Sequence, residues 1–150
     1  MAAPPPPAAI LLEIQADPGE LRRASTWLRK HGEGLAVPGE PMDRLEICLN
    51  EVLANLLEHG GAPVARQPIR LRLEAITPGA GAGVRLVVCD GGRPFDPLVV
   101  SDKPLPATLG EASPGGLGLR LLRAYTDAMD YRVLENGNEL RLEMHWSPRS

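Results

Sequence analysis

The alternation near the end of the chain constrains the fold more than any other feature. From Glu139 to Trp146, Leu140, Leu142, Met144 and Trp146 share one parity, and Arg141, Glu143 and His145 the other. Successive side chains of a strand point to opposite faces, so this segment reads as a strand with one apolar and one charged face. Ile69-Arg70-Leu71-Arg72-Leu73-Glu74-Ala75 repeats the pattern. Such strands specify a sheet that meets a core on one side and water on the other, so helices can cover only one face. Val84-Arg85-Leu86-Val87-Val88-Cys89 is more fully apolar and reads as a central strand. Asn136-Gly137, between a strand over Tyr131 to Glu135 and the last strand, is a strong hairpin signal.

Helical spacing supplies the covering layer. Ile10 to Ile14 reads as a first strand, after which Asp17 and Pro18 suit a helix start, Asp17 as cap and Pro18 at the first helical position. Leu21, Ala24, Trp27 and Leu28 recur at helical spacing to about Lys30, with Gly32 and Gly34 as stops. A stronger helix follows Pro41, its apolar face made of Leu45, Leu49, Val52, Leu53 and Leu56, ended by Gly60-Gly61. A short third helix covers Leu119 to about Tyr125. The expected architecture is a two-layer α/β sandwich, a mixed, mostly antiparallel sheet with about three helices on one face. Residues 1–8, a Pro/Ala-rich tract, read as a flexible tail, and 9–150 as one domain. A chain of 150 residues buries about two-thirds of its unfolded surface, enough for one core.

Three groups of residues can carry chemistry. Glu51, Asn55 and His59 fall at successive i+4 positions on the shoulder of the second helix. A carboxylate and an amide one turn apart can activate a hydroxyl and hold a hydrated magnesium ion, though a solvated helix face also carries such residues. Asp90 ends the apolar strand in phase with Val84, Leu86 and Val88, so its carboxylate emerges at the core edge, where it can accept a hydrogen bond from an exocyclic amine such as adenine's. Gly92 would let a ring approach the backbone, although Asp90-Gly91-Gly92 also suits a plain turn. Gly115-Gly116-Leu117-Gly118-Leu119 opens the last helix, where backbone N–H groups bind phosphate, although a helix-start glycine needs no ligand.

Other chemistries fit less well. The net charge of −3 and the five aromatic residues offer neither a basic face nor stacking platforms, so no nucleic-acid partner is expected. The glycines match neither a P-loop nor a dinucleotide-binding turn. His31, His59 and His145 lack metal-ligand spacing with Cys48 or Cys89, and the serines have no evident nucleophile context. Both cysteines read as buried and reduced, and no apolar run suits a membrane span or a signal peptide, so a cytoplasmic protein is expected.

Taken in order, Glu51-x-x-x-Asn55-x-x-x-His59-Gly60, Asp90-x-Gly92-x-Pro94-Phe95-Asp96-Pro97 and Gly115-Gly116-Leu117-Gly118-Leu119 resemble the GHKL ATPase and kinase superfamily, whose fold is the Bergerat ATP-binding fold. More narrowly the chain resembles the anti-sigma-factor serine kinases of bacterial partner-switching systems, from about Ala9 to Trp146, including Asp127-x-x-x-Tyr131 and Gly137-Asn138-x-Leu140. The resemblance implies ATP and Mg2+ as cofactors, Glu51 as general base toward a substrate serine and Asn55 as the magnesium ligand. It implies Asp90 as the reader of adenine beside Gly92 and Phe95, and His59 near the nucleotide. Gly115, Gly116, Leu117, Gly118 and Leu119 would cradle the phosphates under a lid over Ser101 to Pro114, with Arg93, Lys103 or Arg120 as the nearby basic residue. The implied substrate is a STAS-type anti-sigma-factor antagonist, the implied further partner a sigma factor, and the implied assembly a homodimer. Two alternatives remain open: an ATP-binding, catalytically weak module that sequesters a partner, and a histidine-kinase catalytic domain, disfavoured because no phosphoacceptor hairpin precedes the domain.

Overall fold

A computed structural model describes residues 9–59, 67–79, 81–92 and 121–147. In chain order the elements are β1 (Ile10–Ile14), α1 (Glu20–Gly34), α2 (Gly39–His59), β2 (Ile69–Ile76), β3 (Ala82–Asp90), β4 (Ala128–Leu134) and β5 (Gly137–Trp146). Residues 121–125 form a further helical turn. The strands make one sheet in the order β1-β2-β3-β5-β4, antiparallel at all four pairings. The antiparallel character expected from the alternation is therefore complete, with no parallel pair among the described strands.

The two parities of each strand divide core from water. Ile69, Leu71 and Leu73 of β2, Val84, Leu86 and Val88 of β3, and Leu140, Leu142 and Met144 of β5 are all buried in the core. Ala24, Trp27 and Leu28 of α1, Leu45, Leu49, Val52 and Leu53 of α2, and Leu122 close over them. Each large aliphatic side chain so buried contributes roughly 1.5–3 kcal/mol. The opposite sheet face is a lattice of charges. Arg85 bonds Glu143 at 2.9 Å and Glu74 at 3.2 Å, and both are its direct cross-strand partners in the register. Partly exposed pairs of this kind are individually worth at most about 1 kcal/mol, but a one-residue slip would set Arg85 into the core, so they fit a single register.

Several boundaries differ from the sequence expectation: α2 opens at Gly39 rather than after Pro41, β4 spans Ala128–Leu134 rather than Tyr131 to Glu135, and three others have a visible cause. α1 starts at Glu20 because Asp17 turns the chain beforehand, its Oδ1 accepting the Gly19 N–H at 3.0 Å. Gly32 does not stop α1. It is buried where α1 crosses α2, and a β-carbon there would meet the Met42 methyl at 1.9 Å. The hairpin turn is Glu135-Asn136 rather than Asn136-Gly137, since Leu134 pairs with Gly137, which opens β5. Among the described residues Ala36 is the non-glycine with positive φ, so Asn136 does not adopt the left-handed conformation that an Asn-Gly turn uses. The tail at 1–8 and the stop at Gly60-Gly61 lie outside the described residues.

The direction of α2 fixes where a site can form. Gly39, Glu40 and Arg44 share a cavity of about 740 Å3 with Ala82, His145 and Trp146, and Arg44 donates to the Tyr125 carbonyl at 3.2 Å. Thus α2 begins over the edge where β3 begins. α2 has 21 residues and β3 nine, about 30 Å each, so each element is long enough to cross the sheet from that edge. Asn55, four residues before the end of α2, and Asp90, the last residue of β3, each stand near the far end of their own element.

Candidate nucleotide-binding site

Asp90 is the last residue of β3, in phase with Val84, Leu86 and Val88, and is paired in the register with Asn138 of β5. Its Oδ1 accepts the Gly92 N–H at 2.7 Å and an Asn138 Nδ2–H at 3.2 Å. Burial pushes the Asp90 carboxyl above its ordinary value, and these two donors partly offset that by stabilising the anion. Gly92 is buried beside it. The result is a carboxylate at the rim of an apolar core, which can accept a hydrogen bond from an amine.

On α2, Glu51 is half-buried and Asn55 is 7% exposed. Among the described residues no group hydrogen-bonds the Asn55 amide. That amide is not among the buried groups left without a partner, so its atoms are open to a ligand or water, which suits an oxygen ligand for a cation. Among the described residues no three His, Cys, Asp or Glu side chains cluster to hold a metal, so an ion at Asn55 would take its other ligands from water and phosphate. That is the habit of magnesium.

The structure does not bring every expected residue together. His59 closes α2, but its side chain lies outside what is described. Phe95, Gly115, Gly116, Leu117, Gly118 and Leu119 also lie outside the described residues, as do the 101–114 segment and Arg93, Lys103 and Arg120. A cleft of about 530 Å3 beside Asp90 is lined by Gln67, Arg70, Cys89, Asn136 and Asn138, without Glu51 or Asn55. Among the described residues the helix stripe and the Asp90 corner therefore do not share one cavity.

Sequence reasoning assigned no role to Asn138 or Tyr131. Asn138 is 3% exposed, and its Nδ2 donates to Asp90 and, at 3.0 Å, to the Gly92 carbonyl. Its Oδ1 accepts the Tyr131 hydroxyl at 2.7 Å. The available signal was parity: Asn138 continues the apolar row of Leu140, Leu142 and Met144, and a polar residue there needs partners. Cys48 is buried as expected, which pushes its thiol up to about 12, whereas Cys89 is only half-buried. Among the described residues no helix is long and apolar enough to cross a membrane.

An antiparallel sheet covered on one face by helices, with a carboxylate ending its central strand and a buried amide on the covering helix, is the frame of a Bergerat-type ATP-binding domain. The chain belongs to this class: the family of the histidine kinase-like ATPase domain matches residues 14–144. Among individual proteins it is similar to the serine/threonine-protein kinase BtrW of Bordetella bronchiseptica. The two are 34% identical over 106 residues, covering 71% of this chain and 72% of BtrW.

Proposed function

We propose that this protein is an ATP-dependent protein-serine kinase whose phosphoacceptor is a serine on a STAS-type anti-sigma-factor antagonist, and that it also holds a sigma factor. The observation that carries the reading is Asn55, an enclosed residue whose amide has no described partner, one turn after a carboxylate on the helix that covers the sheet ending in Asp90. The similarity to BtrW, a serine/threonine-protein kinase by name, supports hydroxyl phosphorylation over simple nucleotide storage.

In this reading Asp90 accepts the adenine amine, while Asn55 contributes its amide oxygen to magnesium, which when bound neutralises phosphate charge. Glu51 accepts the serine proton as the serine oxygen bonds to the γ-phosphorus and the bond to the bridging oxygen of ADP breaks. The reading includes a cytoplasmic homodimer, for which the edge strand β1, with Leu11 70% exposed, offers a surface.

The test uses radiolabelled ATP and a STAS-type protein encoded beside this chain. Transfer to a serine of that protein is expected from the wild type and lost in Glu51→Ala, while the ATP-induced rise in melting temperature persists. Undiminished transfer by Glu51→Ala would remove Glu51 as the base. Tight ATP binding without transfer to any such protein would instead favour the partner-sequestering module.

A further inference from the structure

We propose that Asn138 is a positioning residue that turns one oxygen of Asp90 toward the amine of the bound purine, and so sets the preference for adenine. The inference rests on the nucleotide reading above. Asp90 Oδ1 takes both available donors, the Gly92 N–H at 2.7 Å and the Asn138 Nδ2–H at 3.2 Å. Two donors on one oxygen fix the rotation of the carboxylate. Among the described residues no group hydrogen-bonds Oδ2, which is left for a ligand.

Asn138 is itself held against rotation. Its second Nδ2 hydrogen meets the Gly92 carbonyl at 3.0 Å, and the Tyr131 hydroxyl donates to Oδ1 at 2.7 Å. A half-turn of the amide would point its oxygen at the Asp90 carboxylate and the Gly92 carbonyl, and its donors at a hydroxyl already oriented to donate. The chain of bonds runs from β4 through β5 to the end of β3 and the turn after it.

Stability alone gives a poor account of this residue. The next in-phase positions of β5 are Leu140, Leu142 and Met144, and an apolar side chain continuing that row would bury no amide. The side chain actually present faces a carboxylate, where a donor has a specific use. Positions that spend stability on a fully connected polar network are those where orientation matters.

The experiment compares Mg-ATP with Mg-inosine triphosphate, which replaces the exocyclic amine with an oxo group and keeps the triphosphate. Wild type is expected to prefer ATP by at least about tenfold, the weight of one hydrogen bond to a buried charge. In Asn138→Ala that preference falls to within about threefold, chiefly through loss of ATP affinity, and Asn138→Ser, which keeps one donor, recovers part of it. Tyr131→Phe reduces the preference less and carries the test should Asn138→Ala not fold. If the wild type prefers ATP and the variants keep the same preference, Asn138 does not position Asp90. Equal loss of affinity for both nucleotides assigns Asn138 a structural role only and overturns the proposal. A wild type that binds neither nucleotide overturns the nucleotide reading itself, an outcome distinct from both.

Discussion

A β-carbon on Gly137 would stand 2.0 Å from the carbonyl oxygen of Asp90. The first residue of β5 and the last of β3 therefore approach more closely than any side chain allows, and Gly137 also holds φ at +157°. Gly137→Ala must push the Asp90 corner aside. Overpacking of this kind costs typically 1–3 kcal/mol, and here backbone rather than a flexible side chain has to move. Urea unfolding should show a loss toward the upper end of that range, about 3 kcal/mol, together with weaker ATP binding. Unchanged stability and binding would mean that the two strands can separate freely at this point.

Asp90 should trade stability for binding. Its carboxyl titrates above the ordinary value of 3.8 because burial disfavours the anion. A carboxyl whose folded pKa exceeds its unfolded pKa costs stability above the folded pKa, and the cost fades as pH falls through that value toward the unfolded one. Asp90→Asn should therefore make the ligand-free protein more stable at pH 7, with the advantage shrinking in acid. The same variant should bind ATP roughly 10- to 100-fold more weakly, because an amide donor replaces the acceptor. Melting curves across pH and a nucleotide titration check both halves.

Asn55 offers a parallel case on the helix. Asn55→Leu removes an amide that lacks a described partner from an enclosed position, so the ligand-free protein should be unchanged or up to about 1 kcal/mol more stable. The magnesium-dependent part of ATP stabilisation should vanish. At ligand concentrations near 100 times Kd the wild type gains about 2.7 kcal/mol, which is easily resolved in a thermal melt. A variant that keeps its magnesium dependence would acquit Asn55 as the metal ligand.

Ala36 marks a place where stability can be gained away from the site. Its N–H bonds the Glu33 carbonyl at 3.0 Å and the Val37 N–H bonds the Gly32 carbonyl at 3.0 Å, closing α1 with Ala36 at φ +60°. Glycine is the usual residue in this left-handed position because a β-carbon there costs roughly 1–2 kcal/mol. Glycine's extra freedom in the unfolded chain offsets part of that, so Ala36→Gly should stabilise by about 0.5–1 kcal/mol. Denaturant midpoints should rise with no change in nucleotide affinity.

The sheet was legible because alternation is a direct imprint of burial: β1 runs over Ile10–Ile14 as read, and Asp90 lies on the face its parity assigned. The glycines misled because one residue type serves several needs. Gly32 reads as a helix stop but is a contact point between helices, and Gly137 reads as a turn residue but makes room for a carbonyl. Neither need leaves a local trace, since each arises from a residue distant in sequence, Met42 in one case and Asp90 in the other. Asn138 was visible only as a polar interruption of an apolar row, and its partners are Asp90 and Gly92, nearly fifty residues earlier, and Tyr131 on the neighbouring strand. The stripe of Glu51 and Asn55 was found by spacing, but spacing alone could not tell a solvated face from one in which Asn55 is almost wholly enclosed.

On the proposed reading, the direction of α2 bears on which charge state of a nucleotide it favours. Asn55 stands one turn before the C-terminus of that helix, the negative pole of its dipole. A bare triphosphate brought there would meet repulsion, while a cation would meet attraction. On the proposed reading the helix would then discriminate between free and metal-complexed nucleotide before any contact with the base, as a filter on the form of the ligand.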